Sequence, residues 1–252
     1  MANDLNIPEI RSQLLPVRKV QDVALTWRDL HGADHPFWQQ LYAHYERQYP
    51  GLDRQGQGCF AIGLLARELG RVVAEASLKD YPLPVLEPAN LGIEISADAS
   101  LSLCYQSNAL EYVARGHDFH RQRTAWLVAL FAPLVEAQQQ SCRLGAAAQW
   151  RLITDALAYT WLQVGKQQKA EDLARRDFFE GLLSEASKLK NRQVRWTSLH
   201  WQDRVETFVS RGGCCRYYTA DEGDYCRTCV HRDTEQQRTL MAQWYEAAAL
   251  SD

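Results

Sequence analysis

Hydrophobic positions along most of this chain recur every three or four residues, the period of an amphipathic helix. From Pro36, a favoured first-turn residue, the pattern runs through FWQQLYAHYERQY to Pro50. Gly58 to Leu78 places Ile62, Leu65, Leu69, Val72 and Val73 on one face. Arg121 to Gln140 carries Leu127, Leu130, Phe131 and Leu134, and Pro133 is expected to kink or split it. Ala146 to Val164 holds the best-kept stripe: Trp150, Ile153, Leu157, Trp161 and Val164. Glu171 to Leu189 carries Phe179, Leu182, Leu183 and Ala186. A short helix is predicted over Val205 to Arg211. A final amphipathic one over Glu235 to Leu250 sets Leu240, Met241, Trp244 and Tyr245 on one side.

Two short stretches change period. Leu91, Ile93 and Ile95 alternate with small or polar residues, as do Leu101, Leu103 and Tyr105; they read as strands, with a hairpin turn across SADAS. YPLPVLEPAN, with Pro82, Pro84 and Pro88, reads as an extended connection, and VRWTSLHW as a short strand or turn. Residues 1–35 read as irregular. The expected fold is mainly α with a small β component (α+β). A boundary near 190–205 separates a helix-rich body, residues 1–200, from a C-terminal module, residues 201–252. That module is too small to bury much surface alone, so it is expected to pack on the body and to be stapled by a metal.

Composition narrows the class. Of 252 residues, 46% are hydrophobic and 23% charged, the balance of a soluble globular protein. The net charge of -3 gives no footprint for nucleic acid. The start, MANDLNIPEIRSQ, lacks a basic segment followed by an apolar one, so no signal peptide is expected. The longest apolar run, Ala125 to Val135, contains Pro133 and falls well short of the roughly 18 residues of a membrane span. A cytoplasmic, reducing compartment follows, where clustered cysteines bind metal more often than they form disulfides.

Four of the seven cysteines crowd together as Cys214, Cys215, Cys226 and Cys229, in GGCCRYYTADEGDYCRTCVHR. The spacing is C-C-x10-C-x2-C. Thiolates take zinc or iron–sulfur clusters. The Cys226–Cys229 half suits either. Structural zinc sites use a second spaced knuckle, whereas adjacent cysteines reach one ion only through a distorted turn, for which Gly212 and Gly213 supply freedom. A [2Fe-2S] unit spreads four ligand positions over two irons and accommodates the adjacent pair more readily. Zinc stays open as the other reading. Arg211, Arg216, Arg227, His231 and Arg232 lie within a few residues of a ligand. They are candidates for tuning a cluster or docking a substrate, or else plain surface balanced by Asp221, Glu222, Asp224 and Asp233. His231 is a weaker candidate ligand. Cys59, Cys104 and Cys142 read as small buried hydrophobes. Gly56-Gln-Gly58-Cys-Phe-Ala-Ile-Gly63 lacks nucleotide-loop spacing, and no P-loop or flavin fingerprint is present. His117, Asp118 and His120 of HDFH form a minor candidate metal or acid–base site.

The cysteine segment, following a mostly helical region, resembles the FhuF-type ferric siderophore reductases, which share C-C-x10-C-x2-C near the C-terminus. The resemblance implies that Cys214, Cys215, Cys226 and Cys229 ligate one [2Fe-2S] cluster. It also implies an oxidoreductase that reduces an iron(III)–siderophore by one electron and releases iron(II) in the cytoplasm. A separate electron donor is then required, a ferredoxin or a flavin/NAD(P)H reductase. No siderophore-contacting residues carry over. Two other readings remain: a [2Fe-2S] electron carrier or redox sensor, and a zinc-stapled interaction protein. No nucleic acid and no transmembrane segment are expected.

Overall fold

The two best-kept apolar stripes pack against each other and build the core. A computed structural model describes residues 17–18, 25–79, 81, 83–85, 87–96, 101–106, 111–113, 118–184 and 188–249. Its main helices are α1 (Pro36–Gln48), α2 (Arg54–Leu78), α3 (Phe119–Ser141), α4 (Ala146–Gln167), α5 (Glu171–Arg176) and α6 (Thr234–Ala249). The fold is mainly α with a small β component, as the patterning indicates.

α2 lies along α4. Ile62, Leu65, Leu69 and Val73 from one side, and Ile153, Leu157 and Trp161 from the other, are fully buried. Each such side chain contributes about 1.5–3 kcal/mol of hydrophobic stabilisation. α2 starts at Arg54, four residues before the expected Gly58, because Asp53 caps it: its Oδ1 accepts from Gly56 N at 2.7 Å. The glycine-rich stretch is thus helical. Three glycines of α2 have packing reasons, and a Cβ on the first, Gly56, would meet Leu52 Cδ1 at 2.6 Å. A Cβ on Gly58 would meet Cys142 Sγ at 2.4 Å, and one on Gly70 would meet Leu157 Cδ2 at 2.9 Å. Gly63 has none, since nothing lies within 4 Å of its would-be Cβ. Gly63→Ala is therefore expected to raise the unfolding free energy by about 0.5–1 kcal/mol, measured by urea denaturation. A decrease would show that the position is more crowded than it looks.

The expected hairpin is present. β3 (Leu91–Ile95) and β4 (Leu101–Gln106) pair antiparallel, Leu91 opposite Tyr105 and Ile95 opposite Leu101. Residues 97–100 of its turn lie outside the described residues. β1 (Val17–Arg18) runs parallel to β4 on its other edge, and β2 (Leu83–Val85) pairs with β5 (Glu111–Val113). Most of the stretch read as irregular, residues 1–16 and 19–24, also lies outside the described residues. Residues 25–35 are packed: Trp27 and Leu30 are fully buried, and Trp27 Nε1 donates to Leu130 O at 2.9 Å. That carbonyl neighbours the one in α3 that Pro133 leaves without its helical donor. α3 runs through Pro133 unsplit.

Two expected helices are corrected. The helix drawn over Glu171 to Leu189 ends at Leu182, and its last turn, Asp177–Leu182, is π-helical, with Leu183 N donating to Phe178 O at 2.9 Å. The cause is a buried ion pair. Asp177 Oδ2 accepts from Arg123 Nη1 and from Trp161 Nε1, each at 2.7 Å, and Arg123 has no exposed surface. The widened turn keeps Asp177 in that pair while Phe178 stays fully buried. The helix drawn over Val205 to Arg211 is strand β7 (Arg204–Ser210), antiparallel to β6 (Arg195–Trp201). Val205, Thr207 and Val209 are β-branched, and the hairpin buries Trp196, Phe208 and Val209. Gln202 turns the hairpin at φ 52°. Residue 200, the expected boundary, falls inside β6. Trp196, Val209, Cys215 and Ala220 share one core with the helices. Among the described residues, no helix is long and apolar enough to cross a membrane.

Candidate functional site

The cysteine segment leaves β7 and folds back on itself. Arg211 N donates to Thr228 O at 3.1 Å, which sets the first cysteine pair beside the second. The turn between them is built on α4. Asp155, buried in the apolar stripe of that helix, accepts from Gly212 N and Gly213 N, both at 2.8 Å. Gly212 must lack a side chain, since a Cβ there would fall 2.2 Å from Asn191 Nδ2. Arg216 then takes the left-handed conformation, φ 61°, and leads into a short 3-10 turn, Tyr217–Thr219. The turn is tied to the start of α2: Arg216 Nε reaches both Asp53 oxygens at 3.0 Å, Asp53 N donates to Thr219 Oγ1 at 3.1 Å, and Asp221 N donates to Pro50 O at 2.8 Å. The second half is a tight turn closed by Cys229 N on Cys226 O at 3.0 Å. It is held from α6 by buried Gln237, whose Nε2 donates to Cys229 O at 2.9 Å.

The four thiols are free and meet across the two halves of the segment. Cys215 Sγ lies 3.1 Å from Cys226 Sγ, longer than the roughly 2.05 Å of a disulfide. The Cys214 thiol interacts with that of Cys229. Contact with Cys226 holds the Cys215 thiol down against burial, with help from Arg211, and the same contact pushes Cys226 up. Burial raises Cys214, although Arg216 N donates to its sulfur at 3.5 Å. Among the described residues, no three Cys, His, Asp or Glu side chains converge as one metal-holding group. A single tetrahedral ion takes all four sulfurs on one centre, whereas a two-iron core takes them two by two. As a donor set, two cross-paired sets of thiols beside a cation suit the second better.

The four nearby arginines and His231 divide by what they touch. Arg211 alone among them sets its guanidinium on a ligand sulfur, Nη1 to Cys226 Sγ at 3.8 Å, with Asp155 Oδ2 at 3.7 Å from its Nε. Burial opposes its charge, but Cys215, Asp155 and Cys226 outweigh burial and hold its pKa up. Burial likewise pushes the Asp155 carboxyl up to about 6 against the pull of Arg211 and the two glycine amides. Arg216 spends its guanidinium on Asp53. Arg232 Nε donates to Cys226 O at 3.2 Å and its Nη2 to Asp224 at 3.0 Å. His231 lies against Tyr225, ring centroids 5.2 Å apart, and Arg227 sits 5.8 Å over Trp244. His117 lies outside the described residues. His120 borders Arg123 and Asp177.

Beside Cys215 and Cys226 opens a cavity of about 450 Å³ between α2, α4 and the cysteine segment. α2 lines it with Cys59, Phe60, Gly63 and Arg67, one face of a helix at i, i+4 and i+8. α4 adds Asp155 and Tyr159, and the segment adds Arg211 and Tyr217. Of these, Arg211 is the one the sequence marks as a candidate for tuning or docking. Asp155 and Gly63 carried a signal, since a carboxylate inside an apolar stripe and a glycine inside a helix each break the local rule. Cys59, Cys104 and Cys142 are buried as expected, but Cys59 also touches the site, its Sγ 3.7 Å from Cys214 O. The tryptophans Trp27, Trp38 and Trp161 are core, and the cavity's aromatics are Tyr49, Phe60, Tyr159 and Tyr217. Compared with known proteins, the chain matches no family model, no curated protein and no solved structure.

Proposed function

We propose that this protein is a cytoplasmic siderophore-iron reductase. It takes one electron from a separate donor, a ferredoxin or a flavin/NAD(P)H reductase. It gives that electron to iron(III) held in a siderophore, and iron(II) leaves. The observation that carries the reading is the pairing of the four C-C-x10-C-x2-C thiols, two of which, Cys215 and Cys226, line an aromatic, cationic cavity. Cys214, Cys215, Cys226 and Cys229 would hold a [2Fe-2S] cluster, which when bound supplies electrons one at a time. Around it, Asp155 fixes the glycine turn and Arg211 offsets the negative charge of the sulfurs. The oxygen donors of a siderophore hold iron(II) far more weakly than iron(III), so a single electron turns a tight complex into a labile one.

The zinc alternative draws less support. A metal staple is most needed where a module cannot pack, and this segment is already held by Asp53, Asp155, Pro50 and Gln237. The test is protein purified without air and assayed for metal and sulfide. About two irons and two acid-labile sulfides per chain are expected, with a visible spectrum that bleaches on reduction and returns on adding a ferric siderophore. Zinc without sulfide would end the reading. A cluster that no ferric siderophore reoxidises would leave a carrier or sensor.

A further inference from the structure

Gly63 is an unexplained glycine. It sits in mid-helix, where glycine is a poorer choice than alanine, and nothing packs on it. Its open side forms part of the wall of the cavity beside Cys215 and Cys226. One turn further along the same face is Arg67, exposed and without an ion pair or hydrogen bond among the described residues. The one carboxylate in that wall, Asp155, is already spent on Gly212, Gly213 and Arg211. Apart from the thiols Cys215 and Cys226, whose charge Arg211 faces, the cavity therefore has empty space kept open by a glycine, an unspent cation and no unspent carboxylate. Its walls are rings in mutual contact: Tyr49 with Phe60 at 5.1 Å and Tyr49 with Tyr217 at 5.4 Å between centroids, with exposed Tyr159 lining the same cavity from α4. At about 450 Å³ it falls within the roughly 300–1,000 Å³ usual for small-molecule sites, and two irons with two sulfides would take up a small part of it.

We infer that this cavity docks an anionic iron(III) chelate with catecholate donors, that Arg67 meets its charge, and that Gly63 leaves it room. This rests on the reductase reading above and narrows it. A tris-catecholate complex is a polyanion faced with aromatic rings, matching both the unspent arginine and the ring-lined wall. A tris-hydroxamate complex is neutral or cationic and offers no rings, so it gains nothing from either.

Gallium(III) replaces iron(III) with the same charge and shape and takes no electron, which separates docking from reduction. Titration of cluster-loaded protein with gallium tris-catecholate, followed by aromatic fluorescence, is expected to show binding at least about tenfold tighter than gallium tris-hydroxamate. Arg67→Gln should weaken the catecholate complex about tenfold and leave the hydroxamate unchanged, and Arg67→Lys should restore most of the loss. Gly63→Trp should abolish catecholate binding while the helical signal and the visible spectrum stay as in the parent. Equal binding of both chelates, or binding indifferent to Arg67 and Gly63, would overturn the inference while leaving the reductase reading standing. Failure of every ferric chelate to reoxidise the reduced protein would instead remove the reading beneath it.

Discussion

Asp155→Ala is expected to lower the unfolding free energy by about 2–4 kcal/mol and to empty the cysteine segment of its cofactor. The side chain is buried on α4 and serves four groups at once: the amides of Gly212 and Gly213, each at 2.8 Å, Asn191 Nδ2 at 3.5 Å and the guanidinium of Arg211 at 3.7 Å. Alanine accepts nothing, and each buried donor left without a partner costs about 1–3 kcal/mol. Either protonation state of the carboxyl accepts the two amide bonds, so the loss holds on both sides of its raised pKa of about 6. The damage falls at the turn that sets Cys214 and Cys215 against Cys226 and Cys229. Asp155→Asn keeps one acceptor oxygen and should lose less than Asp155→Ala. Urea denaturation of the three proteins, with iron and sulfide counted after anaerobic purification, provides the check. An unchanged unfolding midpoint and full iron in Asp155→Ala would show that the segment holds its shape without α4.

The contrast between the two halves of that turn explains what the sequence disclosed. Spacing alone singled out the four cysteines, because ligand chemistry is local: Cys226 and Cys229 share one tight turn, and Cys214 and Cys215 are adjacent. Helices with a clean period were equally legible, α4 ending three residues beyond its expected Val164. Where the period was short or broken, pairing decided. Val205 to Arg211 gave too few residues to separate a helix from a strand, and the partner that settles it, β6, is visible only in space. The π-helical turn after α5 depends on Arg123, more than fifty residues earlier, so no window around Asp177 contains its cause. The cavity is illegible for the same reason. Phe60, Gly63 and Arg67 share a helix face, and so do Asp155 and Tyr159, but only the packing of α2 on α4 brings the faces to the thiols.

Cys215→Ser should strip the protein of its visible absorption and cut ferric-siderophore reduction at least about 100-fold. Loss of a supporting residue around a metal centre typically costs 10–100-fold, so loss of a ligand should exceed it. Cys215 is the most telling of the four. Its sulfur is in contact with that of Cys226 at 3.1 Å, is held toward the thiolate by that contact and by Arg211, and lines the cavity. A serine hydroxyl ionises far less readily than a thiol, so it stays a neutral donor where a charged sulfur is needed. Cys59→Ser is the matched comparison. Cys59 lines the same cavity, yet burial pushes its thiol up and keeps it protonated, directed at the Cys214 carbonyl 3.7 Å away. Cys59 lies outside the paired segment and gives its S–H to that carbonyl, and a serine hydroxyl can donate there in its place, so Cys59→Ser should keep iron, sulfide and spectrum. Iron and sulfide analysis beside the visible spectrum separates the cases. An intact cluster in Cys215→Ser, or equal loss in Cys59→Ser, would redraw the ligand set around five cysteines instead of four.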